Sequence, residues 1–171
     1  MLKMTIGDWK KRIDRQFEAG LFNEILIANT RKTQELTNFE YCILPSSQIT
    51  DIQAPHNEEY VEREFVFARS VQVAQYLIDD INSRKASFVN DYDDEDNHCI
   101  SYFHHYIRDN KYCMNVYVRS MNYTTNFVFD NETFCIAYNK VFEILKNNYS
   151  IMCPDEGFIR VFAFSMHIYK E

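Results

Sequence analysis

The stretch CISYFHHYIRDNKYCMNVYVRS, residues 99–120, predicts two paired strands of a β-sheet. It contains two aromatic and β-branched runs, which the polar residues 108–110 separate. This pattern is typical of a β-hairpin, in which the second run returns antiparallel to the first. Because residues opposite one another in an antiparallel pair are neighbours, we expect Cys99 at the start of one strand to lie beside Arg119 at the end of the other.

A helix and a further strand are predicted after the hairpin. Residues 131–146 repeat apolar side chains at helical spacing, which predicts a helix, and Asp130 precedes it in the position of an N-terminal cap. Residues 158–169 are too apolar to be solvated on both faces and predict a buried strand. Because side chains alternate along a strand, His167 and Tyr169 are expected on the same side of it.

The N-terminal part of the chain contains shorter signals. Residues 1–20 place Trp9, Ile13 and Phe17 at helical spacing among charges. This spacing predicts a docking helix that is neither a signal peptide nor a membrane anchor. A short strand is predicted at about residues 39–44.

Two helices are predicted at about 59–70 and 71–82. The acidic run 91–96 follows them and could bind a hard cation, but it lacks the spacing of a calcium loop, so a solvated turn is the preferred interpretation. His104 and His105 fall on opposite faces of their strand, so they are not expected to share a metal ion.

Length and composition predict a single domain spanning residues 1–171, in which 46% of the residues are hydrophobic and 16% aromatic. The net charge of −7 disfavours bulk binding of DNA or RNA, because phosphate backbones require a basic surface. Five cysteines without a CxxC pair indicate neither a disulfide framework nor a zinc site, and they favour a reducing cytoplasm.

Together the elements predict an α/β protein of the α+β class, with a mixed or antiparallel sheet and helices on one face.

Several short segments carry the residue types of a nucleotide site. Three of them precede the hairpin: Arg31 lies within NTRKTQEL, Glu64 within YVEREFVF, and Arg84 within SRK. The others follow in the second half of the chain, where Cys99 stands twenty residues before the pair Arg119-Ser120. The remaining candidates are Asn122, Asp130, His167 and Tyr169.

In this order, the segments resemble motifs of the thymidylate synthase family, and more closely its phage-type branch of nucleotide C5-methyl- and hydroxymethyltransferases. The resemblance implies a thymidylate synthase-like fold, a homodimer and a pyrimidine nucleoside monophosphate as substrate. It implies that Cys99 is the nucleophile, that Glu64 moves protons, and that the cofactor is methylenetetrahydrofolate.

The resemblance also assigns the binding residues. Arg31, Arg84, Arg119 and Ser120 would hold the phosphate, with Arg84 acting across the dimer. Asn122 and Asp130 would contact the base, and an aspartate at position 130 favours cytosine over uracil. His167 and Tyr169 would bind the sugar hydroxyl.

The chain also departs from the family. Val118 replaces a glutamine, Asn122 replaces an aspartate, and a segment near the folate is missing between Glu64 and Arg84.

Two hypotheses therefore stand. The first is a cytoplasmic enzyme that modifies C5 of dCMP or dUMP. The second is a non-catalytic protein of the same fold with a structural or interaction role, for example in a phage particle. Neither hypothesis involves a membrane.

Overall fold

A computed structural model of the chain describes residues 3–27, 31–45, 62–89, 100–148 and 153–169. Within these ranges the chain forms three helices and one mixed sheet of eight strands, which confirms the predicted α+β class.

The elements have the following bounds in chain order. They are β1 (Lys3–Met4), α1 (Ile6–Glu18), β2 (Asn23–Ile27), β3 (Arg31–Ile43), α2 (Glu62–Asp79), β4 (Ser87–Val89), β5 (Ile100–Arg108), β6 (Lys111–Val118), β7 (Met121–Asn122), α3 (Phe127–Asn148) and β8 (Asp155–Tyr169).

Strand β8 lies in the middle of the sheet. The strand order is β1-β3-β8-β6-β5-β4, while β2 pairs with β3 and β7 pairs with β8. Strand β8 runs antiparallel to β3 and parallel to β6 and β7. Its last residues therefore lie between the polar first half of β3 and the short strand β7, and these three segments form the candidate site.

The predicted hairpin is confirmed as the antiparallel pair β5 and β6. Asp109 and Asn110 form its two-residue turn with φ values of 51° and 57°. Positive φ at both turn residues matches the twist of the two strands, and Asp and Asn tolerate that conformation better than most residues. The local sequence therefore fixes the register of the hairpin.

Three predicted boundaries were wrong. The single helix α2 replaces the two helices predicted at 59–70 and 71–82, since no helix-breaking residue separates them. Strand β3 begins at Arg31 instead of near residue 39, because pairing with β2 and β8 stabilises its polar first half. Helix α3 begins at Phe127 instead of 131, so Asp130 lies inside its first turn and is not its cap.

Helices α1 and α3 pack on the same face of the sheet. On α1, Trp9 donates a hydrogen bond of 2.6 Å from Nε1 to the Cys42 carbonyl oxygen, and its ring lies 5.6 Å from that of Tyr41. On α3, the ring of Tyr138 lies 4.4 Å from that of Tyr112 on β6. Helix α2 packs against α3 and contributes buried Val73, Ala74 and Leu77 to the same core.

The opposite face of the sheet carries no helix from the described ranges. We call it the aromatic face, and its side chains are Tyr102, His104, Tyr106, Tyr117, Arg160 and Phe162. All six are half-buried, and the rings of Tyr117 and Phe162 stack at 4.8 Å. The sequence predicted such an open face.

A buried polar network links β5, β6, α3 and β8 beneath the helices. The Nδ1 atom of His105 lies 2.6 Å from the Tyr112 hydroxyl. Tyr138 donates a hydrogen bond of 2.6 Å to the Tyr112 carbonyl oxygen and accepts one of 2.9 Å from the Gly157 N–H. Burial lowers the pKa of His105 to about 3, so its imidazole is neutral at pH 7.

We expect His105 to make the free energy of unfolding fall as the pH drops below 6.5. The pKa of this histidine is about 3 in the folded protein and 6.5 in a solvated chain, so only the unfolded state binds the proton in that window. The linkage amounts to about 2 kcal/mol at pH 5 for one such histidine. Urea titrations at pH 7.5 and pH 5 measure it.

The matched variants for this test are His105→Gln and His104→Gln. The first removes the buried titrating group, so its loss of stability between the two pH values should be about 2 kcal/mol smaller than that of the unsubstituted protein. The second changes the half-buried neighbour on the other face and should keep most of the pH dependence. Equal pH dependence in all three proteins would contradict this assignment.

Candidate functional site

The site lies where β8 ends, between β3 and β7. In the β3–β8 pair, Glu35 lies opposite His167 and Thr33 lies opposite Tyr169. On the other side, Asn122 of β7 is the register partner of His167. Residues opposite one another in a sheet share a face, so these side chains form one polar cluster. This confirms the prediction that His167 and Tyr169 point to the same side.

The imidazole of His167 is at the centre of this cluster. It is 6% exposed, and its ring lies 4.9 Å from the ring of Tyr169. Its Nδ1 atom is 3.4 Å from the Ser120 Oγ atom, whereas its Nε2 atom is buried and has no hydrogen-bond partner in the described ranges. An unsatisfied buried nitrogen of this kind is costly, which favours a ligand that supplies its hydrogen bond.

Burial also sets the charge of His167. It lowers the pKa of the imidazole below the ordinary value of 6.5, and the negative charge of Glu35 opposes part of that shift. At pH 7 the ring is therefore neutral, with one nitrogen able to donate and the other able to accept a hydrogen bond. A neutral donor and acceptor of this kind suits a ligand hydroxyl.

Arg119 and Ser120 follow directly after β6 and face the same end of the sheet. Arg119 has an exposed side chain, and Ser120 is half-buried against His167. Arg119 adds a positive charge beside Ser120 in the chain, and it is more exposed than the imidazole and the hydroxyl. This combination can bind an anion outside and hydroxyl groups inside.

The segment that carries Asn122 is held in place from both sides. The Asn122 Oδ1 atom accepts hydrogen bonds from the Thr124 N–H at 3.1 Å and the Thr124 hydroxyl at 2.8 Å, which form an Asx turn. Next to it, the Tyr123 N–H donates to the His167 carbonyl oxygen at 2.8 Å. The backbone beside His167 is therefore fixed before any ligand binds.

Tyr123 also fastens this segment to α1. Its hydroxyl lies 2.6 Å from Asp14 Oδ1 and 2.9 Å from the Lys10 carbonyl oxygen, and it donates its one proton between these acceptors. Burial and the neighbouring Asp14 raise the pKa of Tyr123, so the phenol stays protonated. The predicted docking helix therefore contacts the loop that carries the site.

Asp130 lies two helical turns beyond Asn122. The Asn126 N–H donates to the Asn122 carbonyl oxygen and the Asp130 N–H to that of Asn126, each at 2.8 Å. Asp130 is 6% exposed. Burial raises the pKa of the Tyr41 phenol, and the nearby charge of Asp130 raises that pKa further. Its carboxylate therefore lies beneath the sheet, deeper than Arg119 and Ser120.

Three other predicted residues lie wholly or partly outside the described part of the chain. Cys99 lies outside the described residues, and Ile100 after it pairs with Val118. Glu64 lies near the start of α2 and Arg31 at the start of β3, but their side chains also lie outside the described part of the chain.

The structure separates Arg84 from Arg119 within one copy of the chain. Arg84 precedes β4, whose Ser87 pairs with His104, and the His105 N–H donates to the Ala86 carbonyl oxygen. Because β4 and β5 are antiparallel, the chain before β4 lies towards the turn of the β5–β6 hairpin. Arg119 lies at the opposite end of the sheet.

Glu35 and Tyr123 were not predicted from the sequence as parts of the site. Glu35 becomes a neighbour of His167 only through the register of β3 and β8, which are more than a hundred residues apart in the chain. Tyr123 follows the predicted Asn122, but its contact with Asp14 depends on how α1 packs.

The fold is of the α+β class, and a cluster of polar side chains lies at one end of its mixed sheet. No protein-family model and no curated protein matches the chain. In the described ranges, no three His, Cys, Asp or Glu residues are grouped to hold a metal ion. The acidic run 91–96 lies outside those ranges. None of the described helices, α1, α2 and α3, combines the length and the apolar character that are needed to cross a membrane.

Proposed function

We propose that this chain binds a pyrimidine nucleoside monophosphate at the end of β8, in the manner of the thymidylate synthase family that its motifs resemble. The observation that carries the proposal is His167, a buried neutral imidazole with an unsatisfied Nε2 atom beside Ser120 and near Arg119. A nucleotide offers sugar hydroxyls to the imidazole and a phosphate to the guanidinium.

The proposed roles follow the depth of each residue. Arg119 at the rim binds the phosphate together with Ser120, because a guanidinium matches phosphate oxygens in charge and geometry. His167 and Tyr169 hydrogen-bond the sugar. Asp130, buried under the sheet, accepts a hydrogen bond from the amino group of a cytosine, which makes dCMP the preferred ligand over dUMP.

The finer proposal is transfer of a one-carbon unit to C5 of the bound base. A thiolate of Cys99 would add to C6 of the pyrimidine, and the electron pair that this releases makes C5 nucleophilic. Glu64 would move protons during the reaction. The electrophile in this family is carried by methylenetetrahydrofolate. We assign none of the described residues to that cofactor, so the proposal relies on the nucleotide half of the site.

The proposal includes a second copy of the chain on the aromatic face. Tyr117 and Phe162 are half-buried in the centre of this face, and Glu40 and Arg160 form a 3.5 Å ion pair beside them. A two-fold axis through this face would place Tyr117 and Phe162 of one copy against the same residues of the other. It would also allow Glu40 of one copy to pair with Arg160 of the other.

A non-catalytic protein that keeps this face for assembly is the alternative proposal. The observation that favours it is the size of the aromatic face, which contains five aromatic rings on three strands: Tyr102, His104, Tyr106, Tyr117 and Phe162. Exposed patches of this kind mark protein contacts even where a site is inactive. The cytoplasm suits the first proposal and a viral particle the second.

We expect dCMP and dUMP to bind saturably in calorimetric titrations, with dCMP the tighter ligand. Arg119→Ala should weaken the binding of both nucleotides by about tenfold or more, because it removes a charge-assisted contact to phosphate. Arg15→Ala removes another exposed positive charge, on α1, and serves as the control.

Two results would contradict the proposal of a nucleotide site. The first is the absence of binding of either nucleotide at millimolar concentration. The second is an equal loss of affinity in Arg119→Ala and Arg15→Ala, which would mean that the nucleotide responds to overall charge and not to this site. Either result would leave the assembly proposal as the better one.

A further inference from the structure

The hydroxyl of Ser120 contacts one nitrogen of the His167 ring and leaves the other nitrogen without a partner. The Ser120 Oγ atom lies 3.4 Å from Nδ1, and it makes no other side-chain hydrogen bond with the residues that the structure describes. The Nε2 atom is buried, and no group in the same part of the chain reaches it. Nδ1 therefore faces Ser120, whereas Nε2 is left for a ligand.

The orientation of this ring is held by its neighbours. The Tyr123 N–H donates a hydrogen bond of 2.8 Å to the His167 carbonyl oxygen, and the ring of Tyr169 packs at 4.9 Å and 73° to the imidazole. Burial lowers the pKa of His167, so the ring is neutral at pH 7. A neutral imidazole carries its proton on one nitrogen, which donates, while the other nitrogen accepts.

The single proton of the Ser120 hydroxyl decides which nitrogen of His167 is which. A phosphate oxygen that carries no proton can only accept a hydrogen bond. If Ser120 binds the phosphate together with Arg119, as in the proposed function, its one proton is donated to the phosphate. The Ser120 oxygen can then only accept from Nδ1–H. The imidazole proton therefore lies on Nδ1, and Nε2 is an acceptor.

We propose that Ser120 is a positioning residue that links phosphate binding to the tautomer of His167, and that the site thereby selects a nucleotide with a free 3′-hydroxyl. This inference rests on the proposed nucleotide site and adds the required state of the sugar. The one free sugar hydroxyl of a deoxynucleoside 5′-monophosphate is at C3′, and it donates to Nε2. A 3′-oxygen that is alkylated or esterified would place an acceptor against an acceptor, and both would stay unsatisfied. The ligand is therefore a mononucleotide and not a nucleotide within a DNA strand.

The experiment compares dCMP with its 3′-O-methyl ether by calorimetry on the full chain. We expect dCMP to bind about tenfold tighter, which is the size of effect that a buried acceptor without a donor produces. Ser120→Ala should weaken dCMP and reduce this ratio towards one, because the imidazole can then carry its proton on Nε2 and donate to the ether oxygen. The methyl group has the same size in both measurements, so a change in the ratio reports the proton and not the fit.

Two variants serve as controls. Ser120→Thr keeps the hydroxyl and should keep the ratio. Ser87→Ala removes the hydroxyl of another half-buried serine, on β4, which is three strands away from β8, and should also leave the ratio unchanged.

Nitrogen NMR of histidine-labelled protein gives a second readout that does not depend on affinity. Saturation with dCMP should place the proton of His167 on Nδ1, and this preference should be lost in Ser120→Ala. His167→Gln identifies the signal, because it removes this histidine alone. A serine that only supports the fold would not change the position of this proton.

The outcomes separate this inference from the proposed function. If dCMP binds but the ratio is near one, or is the same in Ser120→Ala, the selection of a free hydroxyl is wrong and the nucleotide site stands. The same holds if the proton of His167 lies on Nε2 in the dCMP complex. If dCMP does not bind, both proposals fail. The position of the proton in the unsubstituted complex decides the question even if Ser120→Ala does not fold.

Discussion

Phe162→Asp is expected to convert the protein from a dimer into a folded monomer. Phe162 lies on the central strand β8 and stacks on Tyr117 in the middle of the aromatic face. In a two-fold dimer formed through this face, the new carboxylate would be buried near its symmetry mate, and the neighbouring cation, the Arg160 guanidinium, is already paired with Glu40. A buried, unpaired charge raises the dissociation constant by about a hundredfold or more.

The monomer should survive this substitution. Phe162 is half-buried, whereas its neighbours Val161 and Ala163 on β8 face the helices and are fully buried. The matched control is Val71→Asp, which places the same charge at a residue of α2 that is 54% exposed. It should leave the dimer intact, because α2 lies on the covered side of the sheet.

Sedimentation over a range of concentrations measures the effect, with circular dichroism to confirm the fold. An unsubstituted protein that stays monomeric at the highest concentration would contradict the proposed dimer. A Phe162→Asp protein that remains dimeric would place the contact on another surface. Equal loss of association in Phe162→Asp and Val71→Asp would indicate a response to net charge.

In the proposed dimer, Arg84 would link the dimer interface to the proposed nucleotide site. Within one copy, Arg84 lies at the end of the sheet away from Arg119. The resemblance assigns Arg84 to the phosphate across the dimer, and its distance from Arg119 within one copy agrees with a role in the other copy's site. Phe162→Asp should therefore also weaken nucleotide binding, although Phe162 is not assigned to the site.

The sequence predicted those parts of the fold whose signal is local. The β5–β6 hairpin followed from the aromatic runs around a turn of Asp109 and Asn110, and α1 followed from the spacing of Trp9 and Ile13. Strand β4 and the first half of β3 were missed. The first half of β3 is polar and pairs with β8, more than a hundred residues away, and β4 has only three residues, too few to show an alternating pattern.

The residues of the candidate site also differ in whether the local sequence could predict them. His167 and Tyr169 are two residues apart on one strand, so their common side followed from alternation. The juxtaposition of Glu35 with His167 required the register of two distant strands, and the role of Tyr123 required the packing of α1. The predicted start of α3 was four residues too late, so Asp130 was predicted to be a helix cap, whereas it is a buried carboxylate within the helix.

Gly157→Ala is expected to lower the free energy of unfolding by about 3 kcal/mol or more, because the added methyl group has no space. A Cβ atom at this position would lie 2.5 Å from the Cys113 sulfur and even closer to the Tyr112 carbonyl oxygen. The register of β6 against β8 shifts between Tyr112 and Met114, beside this glycine. The Tyr112 oxygen also accepts the hydrogen bond of Tyr138, so moving it disturbs a buried network.

Gly7→Ala is the matched control, because the nearest atom to its added Cβ would be Thr5 Oγ1 at 4.0 Å. Gly7 lies in α1, where alanine is favoured over glycine by up to about 1 kcal/mol, so this variant should be as stable as the unsubstituted protein or more so. Urea unfolding of the three proteins provides the comparison. Equal stability of Gly157→Ala and the unsubstituted protein would mean that β6 can move away from β8 at little cost. In that case, the close approach of the two strands at Gly157 would not be what fixes their register.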